Sequence, residues 1–486
     1  MSSHDTARRA LFAAAFLSLP VVGAAKHFAG VSSSQTPYLL PTDPGVSTIA
    51  LLTVGDSVNL KPNGTPYRMV GLPDGLGAFD NRDGTFTVLM NHELPGDRGI
   101  VRDHGFAGAF VSKWIVDRKS LTILHGEDLI RHAFTWNSAT QAYAPATAAF
   151  TRFCSADLAA QGAFYDKRTR TGYDGRIFLN GEESGTEGRA FAHLLDGNSY
   201  ELPALGKMAW ENVVAHPYAG KKTVVVGTDD GQGGQVYVYV GTKTRSNNPL
   251  VAAGLTNGVL FGIKVKGFAL EDSNSGIPSG TEFTGYPLGN VTASTGAQID
   301  AASVAAGVTT FQRPEDSCWD PQSPRDLYFV TTASFSGRSR LWRLRFNDPA
   351  DPAAGGKISL LLDGTEGPKM MDNITVFHGK VLIQEDPGNQ PYLARVWRYD
   401  IATDTVAPIA QHDPTRFAAG GSQFLTQDEE SSGIIPLHKI MGAGWFLAVV
   451  QAHYGTDAEL VEGGQLLALH IDDPADDDDD RGDDRD

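Results

Sequence analysis

Apolar positions along this chain gather into strand-length runs, and the runs come in pairs. Six times, an apolar run enters a polar, mostly acidic turn and a second apolar run follows. The leading pieces are FTVLMNHE from Phe86, RIFLNGEE from Arg176, TVVVGTDD from Thr223, DLYFVTTA from Asp326, VLIQED from Val381 and WFLAVVQAH from Trp445. The runs that follow are GAFVSKWIVD, GRAFAHLLD, GQVYVYV, SRLWRLRF, ARVWRYDI and GQLLALHI. Runs of this length, rich in β-branched and aromatic residues and bounded by Gly, Asp, Asn and Pro, read as strands. Repeat spacing is uneven, from about fifty to about a hundred residues, which a solenoid does not tolerate and a propeller does. The pattern therefore predicts an all-β chain, a six-bladed β-propeller with long inter-strand insertions, in preference to a β-sandwich.

Helical periodicity is scarce. Residues 155–162 and 297–307 each suit one short helix. Asp83-Gly84, Asp174-Gly175 and Asp363-Gly364 suit tight hairpins, since glycine accepts positive φ. The run GVLFGIKVKGF from Gly258 adds a strand to the third repeat, and residues 271–307, rich in Ser, Thr and Gly, read as a long surface insertion.

Composition sharpens the picture at the ends. Arg8 and Arg9 precede an apolar run from Ala10 to Val22 and a small-residue site at Gly23-Ala24-Ala25, an export signal over residues 1–25 of either the twin-arginine or the general secretory kind. No segment is long enough to stay in a bilayer. The expected propeller runs over residues 26–471. The tail over residues 472–486 holds ten Asp and two Arg and cannot bury apolar surface. It supplies much of the formal net charge of −17. An acidic chain without a basic stripe is no partner for nucleic acid. The expectation is a periplasmic or secreted monomer. In such a compartment the two cysteines, Cys154 and Cys318, have three readings: a disulfide, a metal thiolate with a bystander, or two small buried hydrophobes.

Acids stand just upstream of each repeat: Asp74, Asp157, Glu211, Glu315 with Asp316, Asp372, and Glu429 with Glu430. In a propeller the first strand of each blade lines the axis, so these acids would face one another at one mouth. Buried like charges persist together only when cations neutralise them, and oxygen donors in such number suit Ca²⁺. Asn91, Glu93, Glu182 and Glu183, at strand ends, are further candidate ligands, as are Asp229 and Asp230. His92, His193, His216 and His453 read more simply as hydrogen-bonded histidines. Arg313 stands two residues before Glu315 on one face of an extended segment. Its planar fork suits phosphate, although a structural ion pair fits the same position. Arg189 is a weaker candidate of that kind. Metalloprotease HExxH, Walker A and GxSxG motifs are absent.

These residues resemble the PhoX-type alkaline phosphatases, exported metal-dependent propellers. The resemblance spans roughly residues 56–471. It is carried by Asn91-His92-Glu93, Gly181-Glu182-Glu183, Glu211 in Trp-Glu-Asn, Asp229-Asp230-Gly231 and, most specifically, Arg313-Pro314-Glu315-Asp316. It implies that Glu315 and Glu211 bind iron, that Arg313 contacts phosphate, and that Asn91, Glu182 and Glu183 belong to a calcium region. One departure is that the family's iron-binding cysteine precedes its Glu-Glu pair, where this chain has Gly181.

The resulting expectation is an exported hydrolase of small phosphoric esters. Arg313, Glu315 and Glu211 would be catalytic. The metal set would be Asn91, Glu93, Glu182, Glu183, Glu211, Asp229, Asp230, Glu315, Asp316, Asp372, Glu429 and Glu430, loaded with Ca²⁺ and with Fe³⁺ or another transition metal. A calcium-dependent lactonase or arylesterase, and a calcium-stabilised binding propeller, are the alternatives.

Overall fold

The computed structural model describes residues 26–472, so the expected export signal and all of the acidic tail beyond Asp472 lie outside the described residues. Six antiparallel blades surround one axis. Their innermost strands are Pro73–Asp80, Phe153–Leu158, Trp210–Ala215, Pro314–Trp319, Met371–Phe377 and Glu429–Pro436, for blades 1 to 6. Each lies against the next, and the sixth lies against the first, closing the ring. Each repeated pair of runs forms the second and third strands of its blade, as in Thr85–His92 with Phe110–Asp117. Among the described residues no helix is long and apolar enough to cross a membrane.

Stacking blade on blade explains why the runs are apolar without interruption. Successive side chains of a strand point to opposite faces, and here both faces meet a neighbouring blade. Val88 and Met90 join the core between blades 6 and 1, while Leu89 joins the core between blades 1 and 2. Val224 and Val226 pack toward blade 4, and Val225 packs toward blade 2. Leu382 faces blade 6, whereas Val381 and Ile383 face blade 4. Six apolar layers result, one between each pair of blades.

Chain closure uses the N-terminal segment. Val46–Thr53 pairs antiparallel with Glu462–Ile471, from Val46 opposite Ile471 to Thr53 opposite Gln465, and so supplies the fourth strand of blade 6. Lys26–Ala29 then pairs parallel to it at the edge.

Several local expectations are corrected. Residues 155–158 continue the innermost strand of blade 2, and only Gln161–Phe164 is helical. Apolar Cys154, Ala156 and Leu158 alternate with polar Ser155 and Asp157 at strand period, which outweighs the short helical reading. The second expected helix is present as Gly296–Ala306, with Thr295 and Gln298 forming a reciprocal capping box. The insertion is more than surface loop. Its strand Thr281–Gly289 pairs on one side with Val259–Val265 and on the other with Gly356–Leu362, fusing blades 3 and 4 into a nine-stranded sheet. Of the Asp-Gly turns, Asp83-Gly84 closes a hairpin, while Asp363-Gly364 joins blade 4 to blade 5. Cys154 and Cys318 are free thiols, so the disulfide reading falls.

The insertion is anchored by a buried ion pair. Arg340 of blade 4 and Glu271 at the root of the insertion are fully buried, 2.5 Å apart, and Arg340 also donates to the carbonyls of Asp272 and Ser273. Removing one partner strands the other charge in apolar surroundings. Glu271→Ala is therefore expected to cost about 3 kcal/mol of unfolding free energy, read as a lowered denaturation midpoint. A midpoint unchanged from the parent would show that the pair anchors nothing.

Candidate metal and phosphate site

Each innermost strand enters the same mouth through its second residue: Asp74, Cys154, Glu211, Glu315, Asp372 and Glu430 in blade order. In blades 1 to 5 the first cross-strand pair is followed at once by a register shift, as between Pro73 and Leu76 and between Pro314 and Ser317. A bulge of this kind re-aims the side chain beside it, here the station residue. The blade 2 station is therefore Cys154, and Asp157 stands three residues lower, accepting a hydrogen bond from the Ala215 amide at 2.9 Å.

A second tier stands at the end of the second strand of each blade: Glu93, Glu183, Asp230, Thr332 and Asp386 just after it, and His453 near the end of Trp445–Gly455. The two tiers meet. Ligand atoms of Asp74, Glu93 and Cys154 lie within 4.8 Å of one another, as do those of Cys154, Glu183 and Glu211, and those of Glu211, Glu315 and Asp372. Cys154 and Glu211 are each shared, so the three groups form one continuous chain of donors across blades 1 to 5.

This crowding shows in the protonation of the groups. Burial pushes the carboxyls of Asp74, Glu211, Glu315 and Asp372 well above the usual range, and neighbouring acids add to it, Glu93 at Asp74 and Glu315 at Glu211. Burial likewise pushes the Cys154 thiol well up, with Asp74 and Glu211 contributing next. Asp74 Oδ1 and Glu211 Oε1 are buried with no hydrogen-bond partner among the described residues. Orphaned acceptors inside a set of like charges suit bound cations, and the donor chemistry of oxygens with one sulfur suits them too.

Two arginines partly neutralise the set. Arg152 and Arg313 each stand immediately before an innermost strand, in blades 2 and 4, and both have left-handed backbones, with φ of 44° and 60°. A non-glycine residue in that region is held there against its own preference. Arg152 reaches Glu93 at 2.7 Å and also pairs with Glu183. Arg313 reaches Asp230 at 2.7 Å and Glu315 at 3.0 Å. In blade 6, His453 takes the tier that carboxylates hold in four other blades, with Nε2 3.5 Å from Glu430 and Nδ1 2.8 Å from Glu462. Burial opposes its charge, yet hydrogen bonds to those two acids raise it to about 11. Burial also works against ionised Glu430, and His453 and Ser432 hold it below its ordinary value.

Strand alternation decides which sequence candidates reach the mouth. Glu93, Glu183, Glu211, Asp230, Glu315, Asp372 and Glu430 do. Glu182, Asp229, Asp316 and Glu429 are displaced by one residue, Asn91 lies two residues before Glu93, and all five are engaged elsewhere. Asn91 donates to the Cys154 carbonyl at 2.6 Å and accepts from Asn180 at 2.9 Å. Glu182 is held by Arg189 through two contacts of 2.7 Å, which also removes Arg189 as an anion binder. Asp229 accepts from the Ala209 amide at 3.0 Å. Asp316 accepts from the Ile374 amide at 3.0 Å, and Glu429 from the Ala394 amide at 3.2 Å. His92, His193 and His216 are hydrogen-bonded structural residues, with partners Ser112, Asn180 and the Pro324 carbonyl. Arg152, Asp74, Cys154, Asp386 and His453 complete the site. The parallel of Arg152-Phe153-Cys154 with Arg313-Pro314-Glu315 is the sequence signal that points to Arg152.

Residues 196–430 match the family model described as alkaline phosphatase PhoX. The resemblance to the PhoX-type alkaline phosphatases is thereby shown over those residues. No curated protein matches it in sequence. Among solved structures it is similar to Pseudomonas fluorescens PhoX in complex with vanadate, a transition state analogue. That likeness has 12% identity and a TM-score of 0.64, and covers 91% of this chain and 98% of that one. It shows the fold. The PQQ-bound aldose sugar dehydrogenase of Streptomyces coelicolor (12% identity, 87% of this chain and 98% of that one) has a TM-score of only 0.33. For Trypanosoma rangeli sialidase (10% identity, 88% and 58%) it is 0.37. Likenesses this weak carry no argument.

Against the PhoX pattern, the apparent departure at Gly181 has a physical resolution. A Cβ at Gly181 would stand 2.2 Å from Trp210 Cβ, so no side chain fits there. The cysteine at the mouth is Cys154, which faces Gly181's strand from the adjoining innermost one.

Burial, first of all, raises Glu183 to about 8 and Asp386 to about 7. A carboxyl raised in the folded chain holds more protons folded than unfolded, so stability falls as pH rises through that window. In chelator, the melting temperature should fall from about pH 4, where these carboxyls ionise in the unfolded chain, to about pH 8. With calcium the fall should disappear, because bound cations replace the protons. A flat profile in chelator would contradict the crowded-acid reading.

Proposed function

We propose that this PhoX-type chain is an exported, metal-dependent phosphomonoesterase, with its reaction site at the mouth between blades 1 and 5. The observation that carries this is the placement of Arg152 and Arg313 at equivalent left-handed positions on either side of the shared donors Cys154 and Glu211. Guanidinium forks match phosphoryl oxygens bidentately, and both forks reach carboxylates of the mouth, Arg152 at Glu93 and Glu183 and Arg313 at Glu315 and Asp230.

The two groups containing the Cys154 sulfur suit iron or another transition metal, and the all-oxygen group of Glu211, Glu315 and Asp372 suits calcium. Bound cations supply charge neutralisation and polarisation of the ester phosphoryl. The protein's own part is positional. Arg152 and Arg313 exchange carboxylate partners for phosphoryl oxygens and stabilise the charge that develops there. Gln451 donates to Glu93 at 2.9 Å and fixes its carboxylate. His453 and Ser432 hold Glu430 on the far side. A lactonase or a purely binding propeller has no need of two arginines inside a ring of acids.

Glu315→Gln is expected to abolish hydrolysis of 4-nitrophenyl phosphate while the melting curve stays cooperative. Arg313→Met and Arg152→Met should each lower kcat/KM by about 10²–10³. Cys154→Ser should lose the transition metal by elemental analysis. Full activity in the Glu315 variant would refute the assignment.

A further inference from the structure

The rim of the mouth is uneven. The turns of blades 2 and 3, residues 183–189 and 230–235, contain no aromatic residue. The turns of blades 4 and 5 each contribute one, Phe335 and Tyr392, whose rings meet edge to face with centroids 5.8 Å apart. Both are half-buried, so each keeps surface open to solvent. Blade 4 is also the blade whose second tier has Thr332 in place of an acid.

The pair is fixed to the reaction site on both sides. The Thr332 amide donates to the Arg313 carbonyl at 3.0 Å. Phe335 follows three residues later, a separation the backbone spans in at most about 10 Å. Tyr392 is held by Glu385, the residue before Asp386. Its hydroxyl donates to both Glu385 carboxylate oxygens at 3.1 Å. The same buried carboxylate accepts from the amides of Lys369, at 2.6 Å, and Arg395, at 2.9 Å. Two cations therefore fringe the rings: Lys369 Nζ lies 6.0 Å from the Phe335 ring and Arg395 Cζ lies 5.3 Å from that of Tyr392. Lys369 joins no ion pair among the described residues.

We propose that Phe335 and Tyr392 form a leaving-group subsite that selects phosphomonoesters carrying a flat aromatic ring, resting on the phosphatase reading above. A ring beside the phosphate site stacks against rigid aromatic surface at little entropic cost. The Lys369 and Arg395 fringe draws an anionic ester to this side of an otherwise acidic mouth. Nucleotides and aryl phosphates share the flat ring, and glycerol 3-phosphate lacks it.

The test compares kcat/KM for adenosine 5′-monophosphate, 4-nitrophenyl phosphate and glycerol 3-phosphate in metal-loaded protein. The variants are Phe335→Leu, which keeps apolar bulk, and the double variant Phe335→Leu with Tyr392→Leu. The expected result is that the ratio of either ring-bearing ester to glycerol 3-phosphate falls about tenfold, chiefly through KM. A fall confined to the nucleotide or to the aryl ester also supports the subsite and identifies its ligand. Equal losses on all three esters, or an unchanged ratio, would overturn this inference alone. Parent protein that hydrolyses none of the three would overturn the phosphatase reading with it.

Discussion

Everything at the mouth follows from crowding carboxylates where water cannot screen them. Three overlapping groups of donors lie within 4.8 Å, drawn from five blades and nearly all buried. Two unit charges at such separation repel by about 4 kcal/mol at an effective dielectric of 20, and burial adds its own cost. A fold carries that load only when the positive charge is also built in. Arg152, Arg313 and His453 supply part of it, each from a different blade. The rest is left for cations, which is why the site holds so many acceptors and so few donors.

The scaffold that enforces the crowding is apolar. Six inter-blade layers fix the inner strands against one another, and in blades 1 to 5 the register shifts at the strand starts turn one residue toward the axis. Neither device is chemical in itself. Together they bring together residues such as Asp74 and Cys154, 80 positions apart in sequence, whose Sγ and Oδ2 come within 3.3 Å. Buried carboxylates placed by packing cannot drift apart to relieve their repulsion, so they are held neutral by protons or by cations that replace them.

Much of this was legible in the sequence. The repeated apolar runs marked the second and third strands of all six blades, because both faces of each strand are buried and the runs are unbroken. Five of the six stations, at Asp74, Glu211, Glu315, Asp372 and Glu430, were visible as acids upstream of those runs. The sixth was misplaced onto Asp157, since searching for acids passed over Cys154. Asn91, Glu182, Asp229, Asp316 and Glu429 were drawn in for a related reason. The last four each adjoin a residue that does reach the mouth, Asn91 stands two residues before one, and the bulges that decide between neighbours leave no mark in composition. The strand that fuses blades 3 and 4 was hidden by its polar, exposed outer face.

The departures from six-fold symmetry are what make the mouth directional. A ring of six equal acids would have no preferred approach for an anion. Here the donors shared between groups, Cys154 and Glu211, fall in blades 2 and 3, and the arginines flank them in blades 2 and 4. Thr332 removes negative charge on the blade 4 side, and His453 offsets it in blade 6. With every acid ionised, Arg152, Arg313 and His453 bring blades 2, 4 and 6 close to neutral, while Asp74 with Glu93, Glu211 with Asp230, and Asp372 with Asp386 leave blades 1, 3 and 5 acidic. Anion-binding capacity is therefore built into blades 2 and 4, where Arg152 and Arg313 stand, and the acidic blades beside them are the places where cations offset the charge.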